Sequence, residues 1–315
     1  QNTVVGQASS GLSTTASYNT GMGTDSLQQL TTANHNTAIG WQAMIATTTG
    51  TQNTALGSGA LDANTTGGSN VAIGYSALTN STTGTSSVAV GHSALQDQST
   101  GGENVAIGHA AIGSVTTGAN NIAIGYAAGN HSIAQNGDKN IFIGMYCDAP
   151  ATDTDSSIVM GYDVNGVGTD NFTFGRQSVD SNIAFGATSI SAPSDIRLKE
   201  DIQDEVVGLD FINELRPVTF RWKKAKDIPS EMEVHDSDSE ERVMNGKYNH
   251  GFIAQEVKEV IDRHDLKDGF DMWAEDELDG RQRIGEGSLM PLMVKAVQEL
   301  SSKVEELESK LNNKE

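Results

Sequence analysis

A single cysteine, Cys147, stands in 315 residues, so no intrachain disulfide is available to staple the fold. Basic residues are nearly missing from the first 193 positions, which hold only Lys139 and Arg176 against 11 acidic residues. The rest of the chain has 18 basic and 30 acidic residues, so the two parts carry about −9 and −12 of the total of −21. Such a chain repels a nucleic-acid backbone and an anionic bilayer surface. No apolar run is long enough to span a bilayer, and no signal-peptide pattern opens the chain. Neither nucleic acid nor membrane insertion is expected. Glycine divides the chain at the same place, with 27 of 34 before residue 194. Two domains are expected, 1–190 and 191–315. The chain opens at Gln1 in mid-pattern, which reads as the distal part of something longer, with further domains upstream.

What is present is a repeat. Gly6, Gly23, Gly40, Gly57, Gly74, Gly91, Gly108 and Gly125 fall 17 residues apart without a break. Around them runs Asn-x-Ala-Ile-Gly, then Ala-Leu, then Thr-Thr-Gly, clearest in 53–67, 70–84 and 104–118. A fixed short period means a stacked solenoid, because each copy buries its apolar face only against its neighbours. Within Val71-Ala72-Ile73-Gly74 the alternation of large and small residues is a strand signal. The expected fold is a parallel β-roll or β-helix with strands of four or five residues, rising about 4.8 Å per coil. Val71 and Ile73 are expected to face inward and Ala72 outward. Two glycines per coil, the one closing the strand and the one after Thr-Thr, are expected to supply positive φ. A column of outward alanines would let another backbone approach closely, and a thin coil needs association for stability. A homotrimer of rolls is therefore expected. Residues 1–130 resemble the head repeats of trimeric bacterial adhesins and the collar-like repeats of phage tail fibres.

After Gly125 the spacing loosens through Gly144, Gly161, Gly175 and Gly186, and Phe142, Phe172, Phe174 and Phe185 enter the strands. Irregular terminal copies read as a cap or a change of cross-section. The position after the corner glycine carries Trp41, Tyr75, His92, His109 and Tyr126, which should form a column. The column is either a glycan-binding platform or a ladder of like residues covering a seam between protomers. No second histidine or carboxylate recurs beside His92 and His109, so no metal and no cofactor is expected.

At the composition boundary stands Ser194-Asp-Ile-Arg-Leu-Lys199, followed by 209–222, by His250-Gly-Phe-Ile-Ala-Gln-Glu-Val257 and by 289–300. With these motifs in this order, 194–315 resembles the intramolecular chaperone domain at the C-terminus of phage endosialidases, tail fibres and neck appendages, an autoproteolytic serine peptidase family. The resemblance implies a Ser–Lys dyad of Ser194 and Lys199 and a cut between Pro193 and Ser194. Serine is a weak nucleophile until a base takes its proton, and lysine serves as that base only when desolvation lowers its pKa. Burial on trimerisation would supply that desolvation. The plainer reading is that Ser194 or Asp195 caps a short helix and Lys199 is a solvated charge. Pro193 departs from an ordinary scissile residue, since its fixed φ limits how the carbonyl is presented. His250 is a candidate supporting group or a structural residue at a strand start.

The acidic run from Glu231 to Glu241 has no apolar periodicity and reads as a solvated loop. Met293, Val297, Leu300, Val304, Leu307 and Leu311 alternate spacings of four and three, the a/d seam of a short trimeric coiled coil over 291–312. The whole reads as a β-rich chain: a trimeric parallel β-roll, then an α+β chaperone domain ending in a coiled coil. The expected function is the distal segment of a phage tail fibre, placed on the virion tail after folding in the host cytoplasm. It would bind a host cell-surface receptor, a glycan, and carry a single-turnover self-cleaving serine peptidase. A trimeric bacterial surface adhesin and a polysaccharide-degrading tailspike are the alternatives.

Overall fold

The computed structural model describes residues 1–9, 15–130, 136–177, 179–232, 234–266, 272–276 and 280–313. The chain forms two compact units, 1–198 and 199–315. The first is a solenoid with one 12-stranded sheet in sequential order. Its strands β1 (Thr3–Val5), β2 (Thr20–Met22), β3 (Thr37–Ile39), β4 (Thr54–Leu56), β5 (Val71–Ile73), β6 (Val88–Val90), β7 (Val105–Ile107) and β8 (Ile122–Ile124) have three residues each. They pair in parallel, Ala55 with Ala72 and Ala72 with Ala89, so the 17-residue period is the register itself. β9 (Ile141–Ile143), β10 (Ile158–Tyr162) and β11 (Asn171–Arg176) continue in parallel at offsets of 19, 17 and 14 residues, and β12 (Val179–Ala184) turns back antiparallel.

The facing of the strands is the reverse of the sequence expectation. Ala72 is fully buried while Ile73 is 36% exposed and Val71 half-buried. The reason is the thinness of the coil. The Ala-Leu pair after each corner also points inward, and Leu61, Leu78 and Leu95 fill the interior opposite the strand. In these leucine-filled coils the space left at the strand centre takes an alanine, so the branched residues face out.

A buried asparagine ladder ties coil to coil. Asn53 Oδ1 accepts from the Asn70 amide at 2.9 Å, while Asn70 Nδ2 donates to the Gly84 carbonyl at 2.8 Å. One amide group thus satisfies a donor in the next coil and an acceptor in its own, which neither leucine nor aspartate does. Hydroxyls form a second ladder, with Thr48, Thr65 and Thr82 Oγ1 each donating to the carbonyl 17 residues on.

Positive φ is distributed differently from the expectation. Gly74 has φ +137°, and a Cβ there would lie 2.3 Å from the Gly91 carbonyl oxygen. Gly67, after Thr-Thr, has no positive φ; it is glycine because a Cβ would lie 2.2 Å from the Gly84 oxygen. Most other left-handed positions on the roll are ordinary residues such as Ser76, Leu78 and Ser86. Their amides donate to Ser58, Ala94 and Gly68 in neighbouring coils, so each strained residue makes a ladder bond. A bond of about 1 kcal/mol offsets a left-handed cost of about the same size.

The second unit has α1 (Leu209–Glu214), the antiparallel pair β13 (Val218–Phe220) and β14 (Asn249–Gly251), α2 (Ala254–Arg263), the pair β15 (Trp273–Glu275) and β16 (Gln282–Ile284), and α3 (Leu289–Asn312). Phe211, Val257, Val260, Ile261, Met272, Leu289 and Leu292 form its core. Glu214 of α1 holds Arg263 Nε at 2.9 Å and His264 Nε2 at 3.1 Å, pinning α1 to the end of α2. Among the described residues no helix is long and apolar enough to cross a membrane.

Candidate functional site

The Ser-Asp-Ile-Arg-Leu-Lys motif is built around one turn of 3-10 helix, Ile196–Leu198, with Ser194 before it and Lys199 after it. Asp195 organises the turn. Its carbonyl accepts from the Leu198 amide at 3.0 Å and its carboxylate from the Arg197 amide at 2.8 Å. The Arg197 guanidinium forks onto the same carboxylate, at 3.0 Å from Nε and 2.6 Å from Nη2. Those hydrogen bonds hold the Asp195 carboxyl below its usual range. Asp195 is therefore committed to Arg197, and as a weak base it is poorly suited to deprotonate a hydroxyl.

Pro193, Ser194 and Lys199 are all exposed in the single chain. Exposed apolar residues are interleaved with the charged ones in this stretch of sequence: Ile196, Leu198 and Ile202, with Val206 further on. Neither dyad side chain is buried within the single chain.

His250 lies on β14, and its Nδ1 is 3.3 Å from Thr219 Oγ1 on β13. It borders an open groove of about 910 Å³ walled by Phe220, Trp222, Met232, Met244 and Ile284, all within the second unit. In the acidic run, Glu240 is gripped by Lys224 and Lys226, whose hydrogen bonds lower its carboxyl to about 2. The run is thus anchored rather than free; Glu233 lies outside the described residues. Among the described residues no group of three or more His, Cys, Asp or Glu is arranged to hold a metal. Cys147 is buried, and desolvation pushes its thiol pKa up, away from reactive thiolate chemistry.

On the roll, Tyr75 stacks on His92 at 5.1 Å, His92 on His109 at 4.8 Å and His109 on Tyr126 at 5.0 Å, with interplanar angles of 26°, 7° and 10°. Tyr126 ends the stack against the edge of Tyr146. Rings stacked this way cover one another's faces and leave their edges to solvent. Trp41 is 54% exposed and, among the described residues, no ring is stacked on it. A second pair, Tyr18 on His35 at 5.0 Å, stacks at a different corner. Its recurrence at that corner was visible only as two residues 17 apart.

α3 carries two stripes. Leu289, Leu292 and Ala296 are buried against its own unit, while Met293, Val297, Leu300, Val304, Leu307 and Leu311 are 45–68% exposed. The roll likewise exposes a line of outward side chains, including Met22, Leu56, Ile73, Ile107 and Ile124.

No curated protein and no solved structure matches the chain. Residues 194–266, beginning at Ser194 itself, match the family model described as chaperone of endosialidase, and the C-terminal part of this chain therefore carries a chaperone domain of the endosialidase type.

Proposed function

We propose that the chain is the distal segment of a phage tail fibre, that its C-terminal domain assembles three copies, and that this domain then cuts itself off between Pro193 and Ser194. One observation carries the reading: each unit leaves a continuous apolar stripe uncovered, the outward strand face on the roll and the a/d seam on α3. Exposed apolar surface of that extent marks an association face. A three-heptad seam is marginal alone, so it registers chains that are also joined along the rolls. Register matters because near-identical coils could pair one period out at little cost.

In the proposed cut, neutral Lys199 takes the proton of Ser194 Oγ, and the oxygen attacks the Pro193 carbonyl carbon. The C–N bond breaks, the lysine proton passes to the new α-amine of Ser194, and an ester joins Pro193 to Oγ. Water hydrolyses that ester, leaving a Pro193 carboxylate and a free Ser194 hydroxyl. Burying Ile196, Leu198 and Ile202 on assembly desolvates Lys199, which ties the cut to correct folding. Losing the chaperone leaves a fibre held by kinetic stability. Receptor contact we assign to the column on the roll, with Trp41 offering the open ring face a sugar stacks on. Mass spectrometry of the denatured protein tests the cut, with a 122-residue fragment beginning at Ser194 as the expected product.

A further inference from the structure

The last strand of the roll reverses direction just before the proposed cut. β12 pairs antiparallel with β11 over six positions, from Asn171 with Ala184 to Arg176 with Val179. Its outer edge is then closed by the chain itself. The Asn182 amide donates to the Ser191 carbonyl at 2.8 Å, and the Ser191 amide donates to the Asn182 carbonyl at 2.7 Å. Backbone groups alternate in direction along a strand, so Asp180 and Ala184 face outward together with Asn182. The Ala184 carbonyl accepts from the Ala187 amide at 2.9 Å, and Asp180 places a carboxylate on the remaining stretch. An edge that is occupied and charged does not template another strand.

We propose that β12 and Ser191 are the permanent terminal cap of the roll, which stays with the fibre after the cut and stops freed ends from joining. Strands β2 to β10 bond on both sides, and without the reversal β11 would present a full six-residue edge. Ser191 is the last residue bridged to the sheet, and the proposed scissile bond lies two residues beyond it. All of the cap therefore falls on the fibre side. This inference rests on the proposed cut only for where the fibre ends; the cap geometry belongs to the roll alone.

The test compares wild-type full chain with Asp180→Val/Ser191→Pro, which removes the edge charge and the donor to Asn182. Mass spectrometry first records whether each has processed itself; sedimentation then gives the mass of the roll product. Where processing fails, a site-specific protease sequence inserted after Pro193 supplies an equivalent end and spares the exposed Lys139 and Arg176 of the roll, so failure of the cut and failure of the cap are read separately. The expected result is a wild-type product of one constant mass and a variant product that at least doubles in mass with rising concentration, longer by end-to-end addition in electron micrographs. Asp180→Val alone, which keeps every backbone bond, should show a weaker form of the same association. A variant product that stays at the wild-type mass while keeping its circular dichroism, or a wild-type product that associates end to end, would overturn the cap. A double variant that loses its fold passes the decision to Asp180→Val.

Discussion

Gly129 and Phe142 are a matched exchange across two adjacent coils. From Leu27 with Ala38 to Ile112 with Ala123 the interior pairs a strand alanine with a corner leucine, methionine or isoleucine; here the strand residue is Phe142 and the corner residue Gly129. A Cβ on Gly129 would lie 2.7 Å from Phe142 Cδ2. The left-handed φ of +66° is not the obstacle, because Leu78 and Leu95 occupy the same corner at φ 53° and 51°. Gly129→Leu should destabilise the roll by about 1–3 kcal/mol through overpacking, and Phe142→Ala by about 3–5 kcal/mol through a cavity. The double variant should recover much of the loss, since it restores the pairing of the other coils. Denaturant titration of all four proteins gives the coupling energy, and additive losses would refute the exchange.

A second compensation sits in the asparagine ladder. Ser87 stands where the neighbouring coils have Asn70 and Asn104, and Gln98 reaches in to replace the missing amide. Gln98 Nε2 donates to Ser87 Oγ at 3.2 Å, and its Oε1 accepts from Asn104 Nδ2 at 2.9 Å. Gln98→Leu should cost about 1–3 kcal/mol by removing its two buried hydrogen bonds to Ser87 and Asn104, and pairing it with Ser87→Asn should reduce that cost. Equal losses in the single and double variants would sink the assignment.

The anchored acidic run has a defined pH signature. Glu240 is depressed from 4.5 to about 2 by Lys224 and Lys226, so the folded state favours its charged form. Its contribution is fully present above the unfolded carboxylate value and is lost as pH falls from about 4.5 toward 2. Carboxyl NMR titration should show Glu240 ionised at pH 3, and Lys224→Ala/Lys226→Ala should move its midpoint back toward the ordinary value. A wild-type midpoint near 4.5 would contradict the clamp.

Ring geometry separates the two readings of the aromatic column. Trp41→Ala should weaken binding of host-surface glycan about tenfold, the scale of one lost stacking contact. His92→Ala and His109→Ala interrupt the stack instead, and should lower thermal stability while leaving glycan affinity within a factor of about two. Glycan arrays with purified protein decide it. If all three variants bind like wild type, the column is a structural ladder and the receptor site lies elsewhere.

Much of the fold was legible because each coil repeats its own constraints. The glycine spacing gave the parallel register, since a Cβ at Gly74 or Gly91 would strike the next coil, and the Asn and Thr positions mark the ladders. The inward face was not legible. Alternation in Val71-Ala72-Ile73 defines two faces but not which is buried; that depends on Leu78 already filling a narrow interior. The reversal at β12 was equally hidden, because a strand such as Asn182-Ile-Ala-Phe reads alike in either direction. At the candidate site, Ser194 and Lys199 are candidates through the family resemblance, whereas the commitment of Asp195 to Arg197 needed coordinates.

Autocleavage dependent on Ser194 is the central claim, and a denaturing mass spectrum of four full-length proteins tests it most directly. Wild type should give the 122-residue fragment beginning at Ser194 together with the 193-residue roll. Ser194→Ala and Lys199→Ala should remain at 33.2 kDa yet still assemble, and Leu300→Glu/Leu307→Glu should both lose assembly and suppress the cut. Normal cleavage in Ser194→Ala, or an uncut wild-type trimer, would contradict the account.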